Sequence, residues 1–177
     1  MVPTIYTERL MLRQIIASDI DKVFEGLSDP VVTERMAVRY ASLEETKVQM
    51  DWYEGMTEND NGRCWAICSK TNEEFYGVVS LPFWNKQHRK TELGYWLLPA
   101  YWRQGYVREA LAAVVDHAFR EMNVHRILAE VEDDNLASIA TLENAGFNYE
   151  GTQLECEWVN GRFINLAMYA LLNKKER

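Results

Sequence analysis

The sequence is short of positive charge: 19 Lys and Arg stand against 27 Asp and Glu, a formal net charge of -8. Neutralising phosphates takes a clustered excess of Lys and Arg, so this balance argues against nucleic acid as a partner. Proline and glycine are scarce too, 4 and 9 in 177 residues, while 47% of the residues are hydrophobic and 12% aromatic. That composition excludes a disordered chain and predicts a globule. The three cysteines, Cys64, Cys68 and Cys156, are odd in number and have no metal-ligand spacing. The start, Met-Val-Pro-Thr-Ile, lacks the charged head and apolar run of a signal peptide, so free thiols in a reducing cytoplasm are expected. No run approaches the roughly 18 apolar residues of a membrane span, so no membrane partner is expected. His88, His117 and His125 have no companions at ligand spacing, so no metal is expected either; His117 is placed on the polar side of a helix. The Met and Trp residues at helical or strand spacing read as core.

What is present is a regular alternation of elements with no repeat or linker, which reads as one domain over residues 1–177. Arg9 to Ile16 reads as a strand, followed by a helix with N-cap oxygens at Ser18 and Asp19 and apolar Ile20, Val23, Phe24 and Leu27. Asp29-Pro30 breaks it. A second helix starts at Ser42, where Ser42-Leu43-Glu44-Glu45 has the form of a capping box, and runs towards Met56. Asn59 to Gly62 ends that run, and Cys64 to Ser69 with Phe75 to Trp84 form an antiparallel hairpin about a polar turn. Leu93 to Leu98 is a strand so apolar that it should be covered on both faces.

The cleanest period follows. Val107, Ala110, Leu111, Val114, Val115, Ala118, Phe119 and Met122 recur at the spacing of one helix face. Arg126 to Val131 then reads as a strand, and Asn135 opens a short helix closed by Gly146. Two last strands, around Glu150 to Trp158 and Phe163 to Leu171, flank Asn160-Gly161, a strong hairpin signal. The whole reads as α/β (α+β), with a mixed sheet, antiparallel in its first half and at its end, and a strand-helix-strand crossover between.

The chemistry sits where the apolar strand meets the periodic helix. Ala100 to Val107 is a loop with one glycine, Gly105, at a helix mouth. The first amides of a helix have no intrahelical acceptor and carry the positive end of its dipole, so they form an anion site. Arg103 and Arg108 add charge, and no Walker-type phosphate loop is present.

Gly94 to Leu111 resembles the acetyl-coenzyme A motif of the GNAT superfamily of N-acetyltransferases. The core Gln/Arg-x-x-Gly-x-Gly/Ala aligns with Trp102 to Val107, departing at Trp102 and Val107. Thr-Glu-Arg-Leu-Met-Leu-Arg (Thr7 to Arg13) resembles the opening of the RimJ/RimL branch. Lys90 to Leu97, Asn135 to Ser138 and Glu157 to Gly161 are similar to its central strand, its second motif and its late hairpin. The resemblance implies the GNAT fold: a central mixed, mostly antiparallel twisted sheet flanked by helices, with acetyl-CoA at the strand-helix-strand unit. It implies that backbone groups of Tyr95, Trp96 and Leu97 pair with the pantetheine arm, and that amides from Arg103 through Gln104, Gly105, Tyr106 and Val107 to Arg108 hold the pyrophosphate. Asn135 is read as an N-cap whose side chain also contacts the cofactor.

Acetyl transfer from a thioester to an amine needs a neutral nucleophile and a proton for the departing thiolate. An α-amino group is about 10-15% neutral at pH 7, whereas a lysine is neutral to only about 0.04%, so a modest base serves an N-terminal acceptor. The resemblance implies Glu157 as that base and Ser138 as the proton donor, the tyrosine that many GNAT enzymes use being replaced by Leu142. Glu92 and Glu130 are rival bases. The implied acceptor is a protein N-terminal α-amine, of the ribosomal-protein type. The alternatives are a polyamine, amino sugar or antibiotic, or a non-catalytic acyl-CoA sensor. Relatives in this branch often form a homodimer, for which the sequence offers no interface signal. Finally, from Glu130 to Glu157 there are eight carboxylates and no Lys or Arg, a segregation that would draw a cationic amine to that side of the site.

Overall fold

The computed structural model describes residues 2–174. Strands β1 (Ile5–Tyr6) and β2 (Leu10–Gln14) lead to helices α1 (Ile20–Ser28), α2 (Pro30–Thr33) and α3 (Leu43–Glu58). Strands β3 (Arg63–Ser69), β4 (Phe75–Leu81), β5 (Lys90–Glu92) and β6 (Gly94–Leu97) follow. Then come α4 (Tyr106–Arg120), β7 (Arg126–Glu132), α5 (Leu136–Asn144), β8 (Asn148–Val159) and β9 (Arg162–Leu172). Among the described residues no helix is long and apolar enough to cross a membrane.

Several boundaries have chemistry the sequence hides. Asp29-Pro30 ends α1 but also starts α2, because Asp29 Oδ1 accepts the Val31 N–H at 2.8 Å and Pro30 occupies a position that needs no N–H. Ser42 Oγ caps α3 by accepting the Glu45 N–H at 3.2 Å, but Glu45 reaches back to the N–H of Ala41 rather than of Ser42. Asp19 makes no side-chain cap bond on α1. Its buried carboxylate instead accepts the Ile16 N–H and two bonds from the Arg13 guanidinium, each 2.7 Å. The second arginine of the N-terminal motif is thus an internal brace. Asn160 and Gly161 both have positive φ, 49° and 82°, as a tight two-residue hairpin turn requires.

The expected mixed sheet is divided. β1-β2-β3-β4-β6 form an antiparallel sheet of five strands, and β5-β7-β9-β8 a sheet of four in which β5 and β7 are parallel across the α4 crossover. The strand expected from Leu93 to Leu98 is β6, and it starts just past a change of sheet: β5 ends at Glu92 in the four-stranded sheet, and β6 starts at Gly94 in the other. Twist drives adjacent strands apart, and the chain passes from one sheet to the other at the point of divergence.

The five-stranded sheet is covered on both faces, as the apolarity of β6 predicted. On one side α1 and α3 bring Val23, Leu27, Tyr53 and Met56 onto Ala66, Val78 and Trp96. On the other, Leu111, Val114 and Ala118 of α4 and Leu142 of α5 pack with Trp65, Ile67, Val79, Leu97 and Ile127. His117 is not on a solvated face: it is half-buried and meets the Trp65 ring edge-on, centroids 5.7 Å apart, and burial lowers its pKa. Trp65 and Trp96 are core, whereas Trp52 on α3 and Trp158 on β8 are exposed, against expectation.

Gly26 of α1 lies directly on the Trp96 ring, and a Cβ there would overlap it. Helix propensity favours alanine by about 1 kcal/mol, but overpacking a core costs about 1–3 kcal/mol. Gly26→Ala should therefore lower stability by roughly 1–2 kcal/mol in urea denaturation. A stabilised variant would mean that the ring moves aside freely.

Candidate active site

The two sheets separate after one last bond, from the Leu93 N–H to the Leu128 carbonyl at 2.7 Å. Beyond it, β6 pairs only with β4, and β7 beyond Leu128 pairs only with β9. The facing edges of β6 and of Ala129 to Glu132 bound a cavity of about 600 Å³. Of the residues singled out in the sequence, Tyr95, Trp96, Leu97, Trp102, Val107, Glu130, Asn135, Ser138, Leu142 and Glu157 line it; Glu92, Arg103, Gln104, Gly105, Tyr106 and Arg108 do not.

At one end of this cleft lies the loop that opens α4. Gly105 takes the left-handed conformation at φ 80°, and Arg103 does so at φ 59°. The first backbone bond of the helix is from the Glu109 N–H to the Gly105 carbonyl. The N–H groups of Arg103 through Arg108 donate to no acceptor among the described residues. Six consecutive uncommitted donors, the positive end of α4, and the Arg103 and Arg108 side chains give this loop the chemistry that could hold an anion such as a pyrophosphate. Trp102, where the motif has Gln or Arg, ties the loop to β6 by donating its indole N–H to the Leu97 carbonyl at 2.8 Å.

On the wall of α5, Asn135 is an N-cap, as expected, and its Oδ1 accepts the Ser138 N–H at 3.2 Å. The Tyr95 hydroxyl, not among the side chains singled out above, is buried beside the Ser138 and Thr141 side chains without a completed hydrogen bond. Burial raises its pKa, so it is a neutral phenol at pH 7. The alternation along β6 would have found it, since Trp96 faces the α1 and α3 side and its neighbours face α4 and α5.

The opposite wall carries the carboxylates. Glu157 is exposed on β8, next to an irregular stretch of the β8–β9 pairing. Glu92 stands beside Glu130 on the four-stranded sheet; burial, then the Glu130 charge, push its pKa up. Glu132 is buried, and its Oε2 accepts from Arg35 at 2.9 Å and Arg162 at 2.6 Å, while Oε1 has no partner. Arg35 also pairs with Asp134, and Arg126 with Glu150. The acidic stretch without basic residues in sequence is therefore partly neutralised in space. The Asn160 amide, donating to the Glu34 carbonyl at 2.8 Å, straps the segment after α2 to the β8–β9 turn, and Arg35 straps it to Glu132 at the end of β7. A second, mostly apolar hollow of about 380 Å³, between α3 and β6, shares Met36, Gly94, Tyr95 and Trp96 with the cavity.

Fold and cleft together are those of an acyltransferase. Residues 9–148 match the acetyltransferase (GNAT) domain, and the chain belongs to that family of acetyltransferases. It is 29% identical to the N-acetyltransferase YoaA of Bacillus subtilis (strain 168), over 99% of this chain and 100% of that protein. It is 28% identical to the ribosomal-protein-serine acetyltransferase of Escherichia coli (strain K12), over 55% of each chain. Among solved structures, the spermidine N-acetyltransferase of Vibrio cholerae in complex with CoA and spermine superposes with a TM-score of 0.85. Their identity is 22%, over 96% of this chain and 98% of that one, and the likeness speaks for the fold alone.

Because the folded state raises the Glu92 pKa, ionising that carboxyl costs stability above its unfolded value, and the cost disappears as pH falls below it. Glu92→Gln should accordingly raise the melting temperature at pH 7 and lose that gain near pH 4. An equal shift at both pH values would locate the effect in packing rather than in charge.

Proposed function

We propose that the chain transfers an acetyl group from acetyl-CoA to a primary amine, and that the acceptor is a protein N-terminal α-amino group of the ribosomal-protein type. The observation that carries this reading is the row of six uncommitted N–H groups, Arg103 to Arg108, at the end of the cleft between β6 and β7. The pyrophosphate binds that row, and the pantetheine arm lies along the unpaired edge of β6 at Tyr95, Trp96 and Leu97. Acetyl-CoA supplies a thioester carbonyl to attack and a thiolate to leave.

The residues divide the proton work across the cavity. Glu157 takes a proton from the acceptor ammonium, freeing the lone pair that attacks the carbonyl directly. Ser138, held on the first turn of α5 by the Asn135 cap, donates to the departing thiolate from the other wall. Glu157 is solvent-accessible and on the cavity wall, which ranks it above Glu92, while Glu130 shares that wall. The relatives' names support the acceptor class only as far as an amine, one ribosomal-protein and one polyamine acetyltransferase being among them.

A small-molecule amine with an apolar part is the second reading, favoured by the hollow of about 380 Å³ that adjoins the cavity at Tyr95 and Trp96. A thiol-release assay with acetyl-CoA against N-terminal peptides, polyamines and amino sugars separates the two. Binding of acetyl-CoA with no release for any amine would instead favour an acyl-CoA sensor. Glu157→Gln should lower kcat at pH 7 by about 10²–10⁴-fold with acetyl-CoA affinity unchanged. Near-normal turnover of that variant removes Glu157 from the mechanism.

A further inference from the structure

The N-terminal motif Thr7 to Arg13 is far in sequence from the cleft, yet its first half is fastened to the anion loop. Glu109, in the first turns of α4, accepts the Thr7 hydroxyl at 2.5 Å, the Arg9 N–H at 2.8 Å and Arg9 Nε at 2.7 Å. Thr7 is itself fixed, its hydroxyl oxygen accepting the Leu10 N–H at 2.9 Å at the start of β2. Burial opposes ionisation of Glu109, but these bonds outweigh it and hold the carboxyl below its ordinary range. Arg9 then uses a second nitrogen: Nη1 donates to the Gln104 carbonyl at 3.0 Å, and the guanidinium lies over the Tyr106 ring, 4.6 Å from its centroid.

The bond to Gln104 matters for its direction. In a trans peptide the C=O and the following N–H point opposite ways, so holding the Gln104 carbonyl toward Arg9 turns the Gly105 N–H away from it. Side chains also hold the loop, Trp102 bonding the Leu97 carbonyl and Gln104 Nε2 the Ala100 carbonyl at 2.8 Å, but neither bond engages the Gln104–Gly105 peptide itself. Gly105 and Arg103 both sit at positive φ, glycine visits either sign of φ at little cost, and the peptide between them is exposed. A flipped Gln104–Gly105 peptide would present a carbonyl oxygen, in place of an N–H, to a bound phosphate.

We infer that Arg9 is a positioning residue of the anion loop: braced by Thr7 and Glu109, it fixes the Gln104–Gly105 peptide so that the loop's N–H groups face the pyrophosphate of acetyl-CoA. The inference rests on the proposed acetyl-CoA reading and adds a residue from the N-terminal segment to it. Arg9 acts through the backbone and takes no part in the chemistry. Lysine at this position keeps the charge but has no planar fork to bond Glu109 and Gln104 together.

The test is calorimetric titration of CoA into the wild-type chain, Arg9→Ala and Arg9→Lys, alongside turnover with S-acetyl-pantetheine, which lacks the pyrophosphate. Affinity for CoA should fall about tenfold or more in both variants, the scale of a charge-assisted hydrogen bond. kcat/KM with S-acetyl-pantetheine should stay within about twofold of wild type, because nothing in that donor meets the loop. A wild type that does not bind CoA overturns the acetyl-CoA reading and this inference with it. If the wild type binds and either variant binds equally well, the inference alone is wrong. Equal losses with CoA and S-acetyl-pantetheine would also overturn it, leaving Arg9 a support of the fold. Should Arg9→Ala not fold, Arg9→Lys, which retains the positive charge and the aliphatic stem, decides the matter.

Discussion

The structure depends on where β5 and β6 part company. Up to Leu93 the chain is hydrogen-bonded to β7, and one residue later it belongs to the other sheet. Two twisted sheets joined along a short parallel contact cannot remain in register beyond it, so their edges splay and expose backbone on both sides. An exposed strand edge in a protein interior needs a partner. The facing edges of β6 and upper β7 are therefore a binding groove by construction. The α4 amino terminus closes one end of it, and the carboxylates of β7 and β8 stand along its far wall.

The groove is held open by contacts from distant parts of the chain. Trp96 is wedged against Gly26 and donates to the Tyr53 hydroxyl at 3.2 Å, which seats β6 on α1 and α3. Trp102 ties the loop to the end of β6, and Thr7 and Arg9 tie α4 to the start of β2. Across the groove, Glu132 gathers Arg35 and Arg162. These hydrogen-bonded braces use indole, hydroxyl or guanidinium donors on an oxygen acceptor, interactions that fix direction as well as distance.

Local signals in the sequence were reliable wherever their cause is local. The apolar spacing from Val107 to Met122 marks α4, Asn160-Gly161 marks the last hairpin, and Gly146 takes positive φ after α5. The loop at the mouth of α4 was readable because a glycine before a periodic helix has consequences within a few residues, and Gly105 does take positive φ there. Where sequence reasoning went astray, the missing information was a partner. His117 looked polar by its helix position until Trp65 met it. Asp19 looked like a cap until Arg13 claimed its carboxylate. The acidic run from Glu130 to Glu157 looked unopposed until Arg35, Arg126 and Arg162 arrived from other segments.

By itself, then, the sequence determined the order and type of most elements, the glycine loop at the mouth of α4, and the family to which the chain belongs, all from spacings of a few residues. The tertiary structure alone decided that the chain changes sheet at Leu93, just before the apolar strand, and which carboxylates along the groove are paired with arginines from other segments. It also decided that the opening motif reaches the mouth of α4. The physical reason is the same in each case: hydrogen bonding and charge pairing act over a few ångströms, and only the folded chain brings residues so far apart in sequence to that distance.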